Sequence, residues 1–172
     1  MANLNQLISN VTRIINNNPS KILFNTRITF ALKNYIHDDW NLYKLDPIEN
    51  TYKKNVIYRN EEMSLELISW GAHSSTEIHD HARYGCFMKV LDGRLRENIF
   101  SPINNHFIRT KKLNTNAISY INNKIGHHNI FNENYDSNSY SLHLYFPGNY
   151  NTNYYSFNEL SHPMIQQQYC ML

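Results

Sequence analysis

The chain has 172 residues, enough for one domain that buries a core without disulfide support. Its 16 Lys and Arg residues are scattered, its Asp and Glu residues number 14, and the formal net charge is only +2. This small, dispersed charge argues against a nucleic-acid partner and against an anionic membrane surface. The two cysteines, Cys86 and Cys170, are too few for a disulfide scaffold, which favours a reducing cytoplasm.

The sequence predicts neither a membrane segment nor a second domain. No apolar run approaches the ~20 residues needed to cross a bilayer. The first ten residues lack a basic segment followed by an apolar one. We therefore interpret residues 1–172 as a single domain and expect a soluble, unexported monomer in the cytoplasm.

Two helices are predicted in the first 50 residues, because apolar residues recur there at helical spacing. The first helix is indicated by Leu4, Leu7, Ile8, Val11 and Ile15. The second is indicated by Ile28, Ala31, Leu32, Tyr35 and Ile36. Asp46-Pro47 then breaks the helical pattern.

From Met63 onward the pattern changes to short apolar stretches separated by turn residues. These stretches predict strands at residues 64–70, 84–91, 94–100, 106–112, 117–121, 127–131 and 140–146. Asp92-Gly93 predicts a hairpin between two of them, since both residues tolerate the positive φ of a tight turn. Short strands with no helix between them favour an all-β jelly-roll barrel over residues 56–150. The helices of residues 1–50 would pack outside it, and residues 151–172 would form a polar extension that wraps the barrel or its mouth.

The segment His79-Asp80-His81 is the first chemical signal. Its two imidazoles are two residues apart, so on a strand they point to the same face and can bind one metal ion. Alone, such a pair in a His-rich chain is a weak signal. The surrounding spacing resembles the first cupin motif, with Gly71 upstream and with Cys86 and Gly93 in the positions of the third ligand and the closing glycine.

A second, partial cupin motif lies further along the chain. Gly126 stands two residues before His128, and Asn132 follows after three intervening residues. Together the two motifs predict that His79, His81 and His128 meet at one point inside the barrel.

Cysteine at position 86 stands where cupins usually carry a carboxylate ligand. Without that carboxylate, three neutral imidazoles leave the full charge of the metal uncompensated. Such a site favours an anionic substrate. A thiolate is a good candidate, because a divalent ion readily deprotonates a coordinating thiol.

Three segments in order, at residues 78–87, 120–128 and 141–145, resemble the cysteine dioxygenases, and the similarity runs from about residue 40 to residue 150. The resemblance implies Fe(II) held by His79, His81 and His128. It implies L-cysteine and O2 as substrates and cysteine sulfinic acid as the product, the second step of the thiol oxidation ladder.

The same resemblance assigns roles to further residues. It implies a thioether crosslink between Cys86 and Tyr145, and an arginine at Arg59 that receives the substrate carboxylate. Cys86, Tyr145 and His143 would be the catalytic residues, with Tyr145 also contacting the substrate. The planar fork of Arg59 suits a carboxylate in a way that lysine does not reproduce.

The alternation of residues along one predicted strand indicates a network of side chains that would support the metal site. Ser141, His143 and Tyr145 alternate along one predicted strand and therefore face the same side. Ser141 could fix the tautomer of His143, and His143 could hold the Tyr145 hydroxyl over the metal. Trp70 could support this network by lining the pocket, or it could simply belong to the core.

Several residues depart from the family pattern or have no role in it. Ile57 stands two before Arg59, where animal members carry tyrosine, which removes a hydroxyl from the substrate pocket. Phe146-Pro147 is expected to be cis. Alternation lets only one of two adjacent histidines face the interior, and the motif favours His128 over His127. The remaining candidates have no assigned role: His73, His106, His162 and Cys170.

Other functions stay open. One is a dioxygenase for another small thiol, such as 3-mercaptopropionate or cysteamine, although Arg59 and Cys86 favour cysteine. A second is a non-catalytic cupin that senses a metal or binds a small ligand. A third is a sugar-isomerase cupin with Zn or Mn, which the missing carboxylate at position 86 disfavours.

Overall fold

The computed structural model describes residues 2–17 and 20–155, so His162, Cys170 and most of the predicted C-terminal extension lie outside the described residues. Both predicted helices are present, α1 at Leu4–Asn16 and α2 at Lys21–Asn34. A short 3-10 helix, which the sequence pattern missed, follows at Asp39–Tyr43. Within the described residues, no helix has the length and apolar character needed to cross a membrane.

Helix α1 begins at a capping box. The Asn3 side chain accepts from the backbone N–H of Gln6, and the Gln6 side chain accepts from the backbone N–H of Asn3. Asp39 then accepts from the N–H of Leu4 at 2.8 Å, which attaches the start of the helix to the segment before the sheets.

Over the described residues, ten strands form two antiparallel five-stranded sheets. The first sheet has the order β1-β2-β9-β4-β7, with β1 at Tyr52–Arg59, β2 at Ser64–Trp70, β4 at Gly85–Asp92, β7 at Ile118–Ile121 and β9 at Ser139–Phe146. The second has the order β10-β3-β8-β5-β6, with β3 at Ile78–His79, β5 at Arg94–Phe100, β6 at Phe107–Asn114, β8 at His127–Asn132 and β10 at Tyr154–Tyr155. All-β architecture with two preceding helices is therefore confirmed.

The seven predicted strands are present with ends within two residues of the prediction. Three strands were missed. β1 is a polar edge strand with several exposed side chains, and β3 and β10 have two residues each. β10 places residues 154 and 155 of the predicted extension beside β3.

The predicted hairpin at Asp92-Gly93 is wrong. β4 pairs with β7 and β9, whereas β5 pairs with β6 and β8, so the turn carries the chain from one sheet to the other. Both edges of each strand are already occupied, which leaves β4 and β5 no edge for each other. Gly93 still takes the positive φ of 83° that its turn requires.

Alternation along the first sheet separates two apolar clusters. The outer face carries Leu65, Leu67, Phe87, Leu142, Leu144 and Phe146, which pack with the apolar stripes of α1 and α2. The helices therefore lie outside the barrel, as predicted. Between the sheets, a second cluster includes Trp70, Met88, Val90 and Ile130 and fills one end of the interior.

One buried charge joins α2 to the barrel. Lys89 faces outward from β4 and is 1% exposed. Its Nζ donates to the carbonyl of Leu32 at 2.9 Å and to the carbonyl of Tyr35, at the end of α2. Burial lowers the pKa of this amine.

The peptide bond between Phe146 and Pro147 is cis, which confirms the prediction. It lies directly after β9, the strand that carries the predicted supporting network.

Candidate active site

Three histidines come together between the sheets. His79 lies on β3 opposite His128 on β8, in register, and His81 follows two residues after His79. One ring nitrogen of each histidine lies within 4.8 Å of those of the other two. The sequence motifs predicted this meeting point correctly.

The hydrogen bonds of these rings leave nitrogen atoms for a metal. His79 donates from Nδ1 to the carbonyl of Glu77 at 2.8 Å, and His128 donates from Nδ1 to Glu97 at 2.8 Å. In each ring Nε2 keeps its lone pair. Both ring nitrogens of His81 are buried without a hydrogen-bond partner among the described residues.

The electrostatics of the cluster also fit a cation. Burial, followed by the neighbouring His128, lowers the pKa of His79 to about 3 and lowers the pKa of His81 well below its usual value. The two imidazoles are therefore neutral at physiological pH, the form that binds metal. A buried imidazole that has no hydrogen-bond partner among the described residues, lying beside two further imidazoles, fits a divalent ion.

Glu97 supports this cluster and was missed by the sequence reasoning. Its Oε1 accepts from His128, while Ser119 donates to its Oε2 at 2.6 Å and Lys111 lies 3.0 Å from the same oxygen. Burial alone would raise the pKa of Glu97, but His128, Lys111 and Ser119 together lower it to about 2. One signal was available: Glu97 is an acid between Leu95 and Ile99 on the interior face of a predicted strand.

Cys86 and Tyr145 face each other across neighbouring strands. They are register partners on β4 and β9, and both are buried. Cys86 Sγ lies 3.8 Å from Nδ1 of His143, and the Tyr145 hydroxyl lies 3.3 Å from the same nitrogen. Burial raises the pKa of both the thiol and the phenol.

A hydrogen-bond chain runs from Trp70 through Ser141 to His143. The indole N–H of Trp70 donates to Ser141 Oγ at 2.8 Å, and Ser141 Oγ hydrogen-bonds to His143 Nε2 at 2.8 Å. Burial lowers the pKa of His143 well below its usual value, so the ring is neutral. The other ring nitrogen, Nδ1, lies 3.3 Å from the Tyr145 hydroxyl.

Arg59 lies at the end of β1 and contacts a carboxylate that the sequence reasoning did not single out. Its Nε donates to Ser64 at 3.1 Å and a terminal nitrogen donates to Glu66 at 2.8 Å. The Glu66 side chain is fully buried and also lies 3.1 Å from Lys54 Nζ. Burial alone would raise the pKa of Glu66, but Lys54, Ser64 and Arg59 lower it.

A cavity of about 30 Å³ lies beside the histidines, and its lining includes Lys54, His79, His128, His143 and Tyr145. A larger groove of about 770 Å³ runs outside the barrel near Phe24 and Pro147, and none of the three clustered histidines lines it. The small cavity adjoins the candidate metal ligands His79 and His128.

The remaining candidates make other contacts and are not members of the three-histidine cluster. Ile57 packs against the outer apolar cluster and is not among the residues that line the cavity. His127 stacks on Tyr155 and bonds to Asn105 at 2.7 Å. His73 lies in a loop, 3.9 Å from Glu49.

Two facing antiparallel sheets with a three-histidine cluster between them define the chain as a cupin with a candidate metal centre. The family model for cysteine dioxygenase type I matches residues 3–158, so the chain belongs to that family.

Sequence relatives agree with this assignment. The chain is 34% identical over 101 residues to cysteine dioxygenase type 1 of Rattus norvegicus and 33% identical over 101 residues to that of Homo sapiens. Each alignment covers 55% of this chain and 50% of the relative. The chain thus spans about half the length of these curated relatives.

Solved structures agree on the fold. A Klebsiella pneumoniae protein with a double-stranded β-helix domain superposes with a TM-score of 0.57 at 13% identity, over 70% of this chain and 97% of that one. TT1209 of Thermus thermophilus gives a TM-score of 0.51 at 13% identity, over 64% of this chain and 96% of that one. At this identity the likeness concerns the fold alone.

Proposed function

We propose that this chain is an Fe(II)-dependent dioxygenase that oxidises L-cysteine with O2 to cysteine sulfinic acid. The observation that carries the proposal is the buried His81 ring, which has no hydrogen-bond partner in the described part of the chain and lies among three histidines next to the facing pair Cys86 and Tyr145. Relatives named cysteine dioxygenase type 1 support it. One thiol and one O2 give one sulfinic acid, so no other reductant is needed.

His79, His81 and His128 would hold the iron, which when bound supplies the redox chemistry that O2 needs to react with sulfur. Three neutral imidazoles add no negative charge, so the site favours a substrate that arrives as a thiolate. His143, whose Nδ1 lies 3.3 Å from the Tyr145 hydroxyl, would orient that hydroxyl. Arg59, on the barrel side of β1, would bind the substrate carboxylate.

The decisive measurement is oxygen consumption together with product analysis, for cysteine, 3-mercaptopropionate and cysteamine. Wild type should prefer cysteine and form its sulfinic acid. His81→Ala should lose at least about a hundredfold in rate, since a ligand is removed, while His73→Ala, outside the cluster, should keep wild-type activity. Absence of thiol oxidation in iron-loaded wild type would leave a non-catalytic cupin as the better description.

A dioxygenase for another small thiol is the second candidate. This candidate is favoured by the contacts of Arg59. Its guanidinium already donates to Glu66 and Ser64, and its side chain is 46% exposed. A clear preference for cysteamine over cysteine in the same assay would establish this alternative.

We also propose a thioether between Cys86 and Tyr145. The sulfur would bond to the ring carbon next to the one that carries the phenol oxygen. The S–H and the C–H would each lose a hydrogen atom to O2, which acts as the oxidant. Crosslinked and uncrosslinked chains should migrate as two bands on a denaturing, reducing gel, and the crosslinked form should be two hydrogen atoms lighter by intact mass. Tyr145→Phe should give one band; two bands in that variant would contradict the assignment.

A further inference from the structure

We propose that Lys54 is a second cation of the substrate site and binds the carboxylate of the thiol substrate, held in place by Glu66. This inference rests on the proposed thiol chemistry and adds a specificity residue to it.

The position of Lys54 is the first argument. Among the described residues that line the small cavity, Lys54 is the one Lys or Arg, and Arg59 is not among them. The same cavity is lined by His79 and His128 of the cluster and by Tyr145. Lys54 Nζ lies 5.7 Å from the centroid of the Tyr145 ring, on the face of the ring. A positive charge therefore stands at the cavity wall.

The partner of Lys54 is the second argument. Glu66 is fully buried on β2, opposite His143 in register, and its Oε2 lies 3.1 Å from Lys54 Nζ. Its Oε1 accepts from Arg59 and from Ser64 Oγ at 2.7 Å. Glu66 therefore fixes the positions of two cations at once, and its pairing with Lys54 directs the ammonium to the cavity wall.

Charge balance is the third argument. Lys54 and Arg59 contribute two positive charges against the single negative charge of Glu66. Tyr150, whose hydroxyl lies 3.4 Å from Glu66, is neutral because burial and Glu66 raise its pKa. The group therefore carries a net charge of +1, and one substrate carboxylate would balance it. An ammonium has three N–H donors, so Lys54 can bond to Glu66 and to a substrate carboxylate together.

The test compares cysteine with cysteamine, which lacks the carboxylate. Iron-loaded Lys54→Met should bind cysteine about 10- to 100-fold more weakly by anaerobic calorimetry, the range expected for loss of a hydrogen bond to a charged group. Its KM for cysteine should rise by a similar factor, with kcat changed far less. Cysteamine binding should change less than about twofold, since it makes no such bond. Lys54→Arg should recover part of the cysteine affinity.

Lys53→Met is the matched control, because Lys53 is the neighbouring exposed residue of β1 on the opposite face. Equal cysteine affinities in Lys54→Met and Lys53→Met would overturn the inference, as would an equal loss for both thiols in Lys54→Met. If wild type binds cysteine, Lys54→Met does not, and no sulfinic acid forms in either, the inference holds and the proposed reaction fails. If wild type does not bind cysteine, both fail.

Discussion

Glu97 determines which nitrogen of His128 faces the cluster. Its carboxylate accepts the Nδ1 proton, so Nε2 keeps its lone pair for a metal. Lys111 and Ser119 occupy the second oxygen of Glu97, which prevents the carboxylate from turning away. The negative charge also makes the His128 ring a stronger donor to a metal ion.

Replacement of Glu97 by glutamine should therefore weaken metal binding. The amide can still accept the His128 proton, but it carries no charge, and we expect a loss of about 10- to 100-fold in affinity. Competition of Fe(II) against a chromophoric chelator under anaerobic conditions measures it. Glu133→Gln, which alters a carboxylate paired with Arg96 on the same sheet, should leave the affinity unchanged. An unchanged affinity in Glu97→Gln would show that its charge does not reach the site.

The histidines could be predicted from the sequence, whereas their supporting residues could not. His79 and His81 are two residues apart, and a short motif around His128 identifies the third histidine of the cluster. Glu97 comes near His128 only through the pairing of β5 with β8, in which Ile99 lies opposite His128. Local spacing carries no information about that pairing, and the same is true of Lys54 and Glu66 on β1 and β2.

At the scale of elements, an irregularity in β1 brings two cations to the same side. Lys54 and Arg59 are five residues apart, and in a regular strand they would face opposite sides. The register with β2 shifts between Val56 and Tyr58, so Lys54 lies opposite Ile68 and Arg59 lies opposite Ser64, both barrel-facing positions. The sequence pattern missed β1 because its polar residues and its bulge conceal the alternation.

Helix α2 is attached to the first sheet through a charged side chain as well as through apolar contacts. The ammonium of Lys89 lies at the carbonyl end of the helix, where a positive charge is favoured. The carbonyls of Leu32 and Tyr35 receive its protons. Lys89 thus gives the Tyr35 carbonyl a buried donor and adds a second donor to the Leu32 carbonyl, which also accepts from the N–H of Tyr35 at 3.3 Å.

Replacement of Lys89 by methionine should destabilise the attachment of α2 to the first sheet. The buried Tyr35 carbonyl would lose the Lys89 donor, which costs about 1–3 kcal/mol of unfolding free energy. Because burial lowers the folded-state pKa below the unfolded value of 10.5, the folded chain holds fewer protons between these two values. The difference in unfolding free energy between wild type and Lys89→Met should therefore increase, in favour of wild type, as the pH rises through that window.

Denaturant unfolding at pH 7 and at pH 10 measures both effects. Lys112→Met, which alters an exposed lysine on β6, should match wild type at both values. The stability deficit of Lys89→Met could instead be smaller at pH 10 than at pH 7. The fold would then favour the charged ammonium, and the direction of the pKa shift of Lys89 would be wrong.

At the scale of the whole molecule, the site is assembled from strands distant in sequence. His79 and His81 lie some fifty residues before His128, and Cys86 meets Tyr145 through the pairing of β4 with β9. An unfolded chain holds none of these groups together. Metal binding at this cluster would therefore be coupled to the fold, and a bound ion would stabilise the native state by mass action.

Addition of a divalent ion should raise the melting temperature of the chain. At a free ion concentration of 100 times Kd the gain is about 2.7 kcal/mol, which corresponds to about 5–11 °C for a chain of this size. Anaerobic calorimetric melting with and without Fe(II) measures the shift. His73→Ala should retain the shift, because His73 lies in a loop outside the cluster. His81→Ala should lose the shift, because it removes the candidate ligand whose ring nitrogens have no partner among the described residues. A full shift in His81→Ala would mean that the ion binds elsewhere.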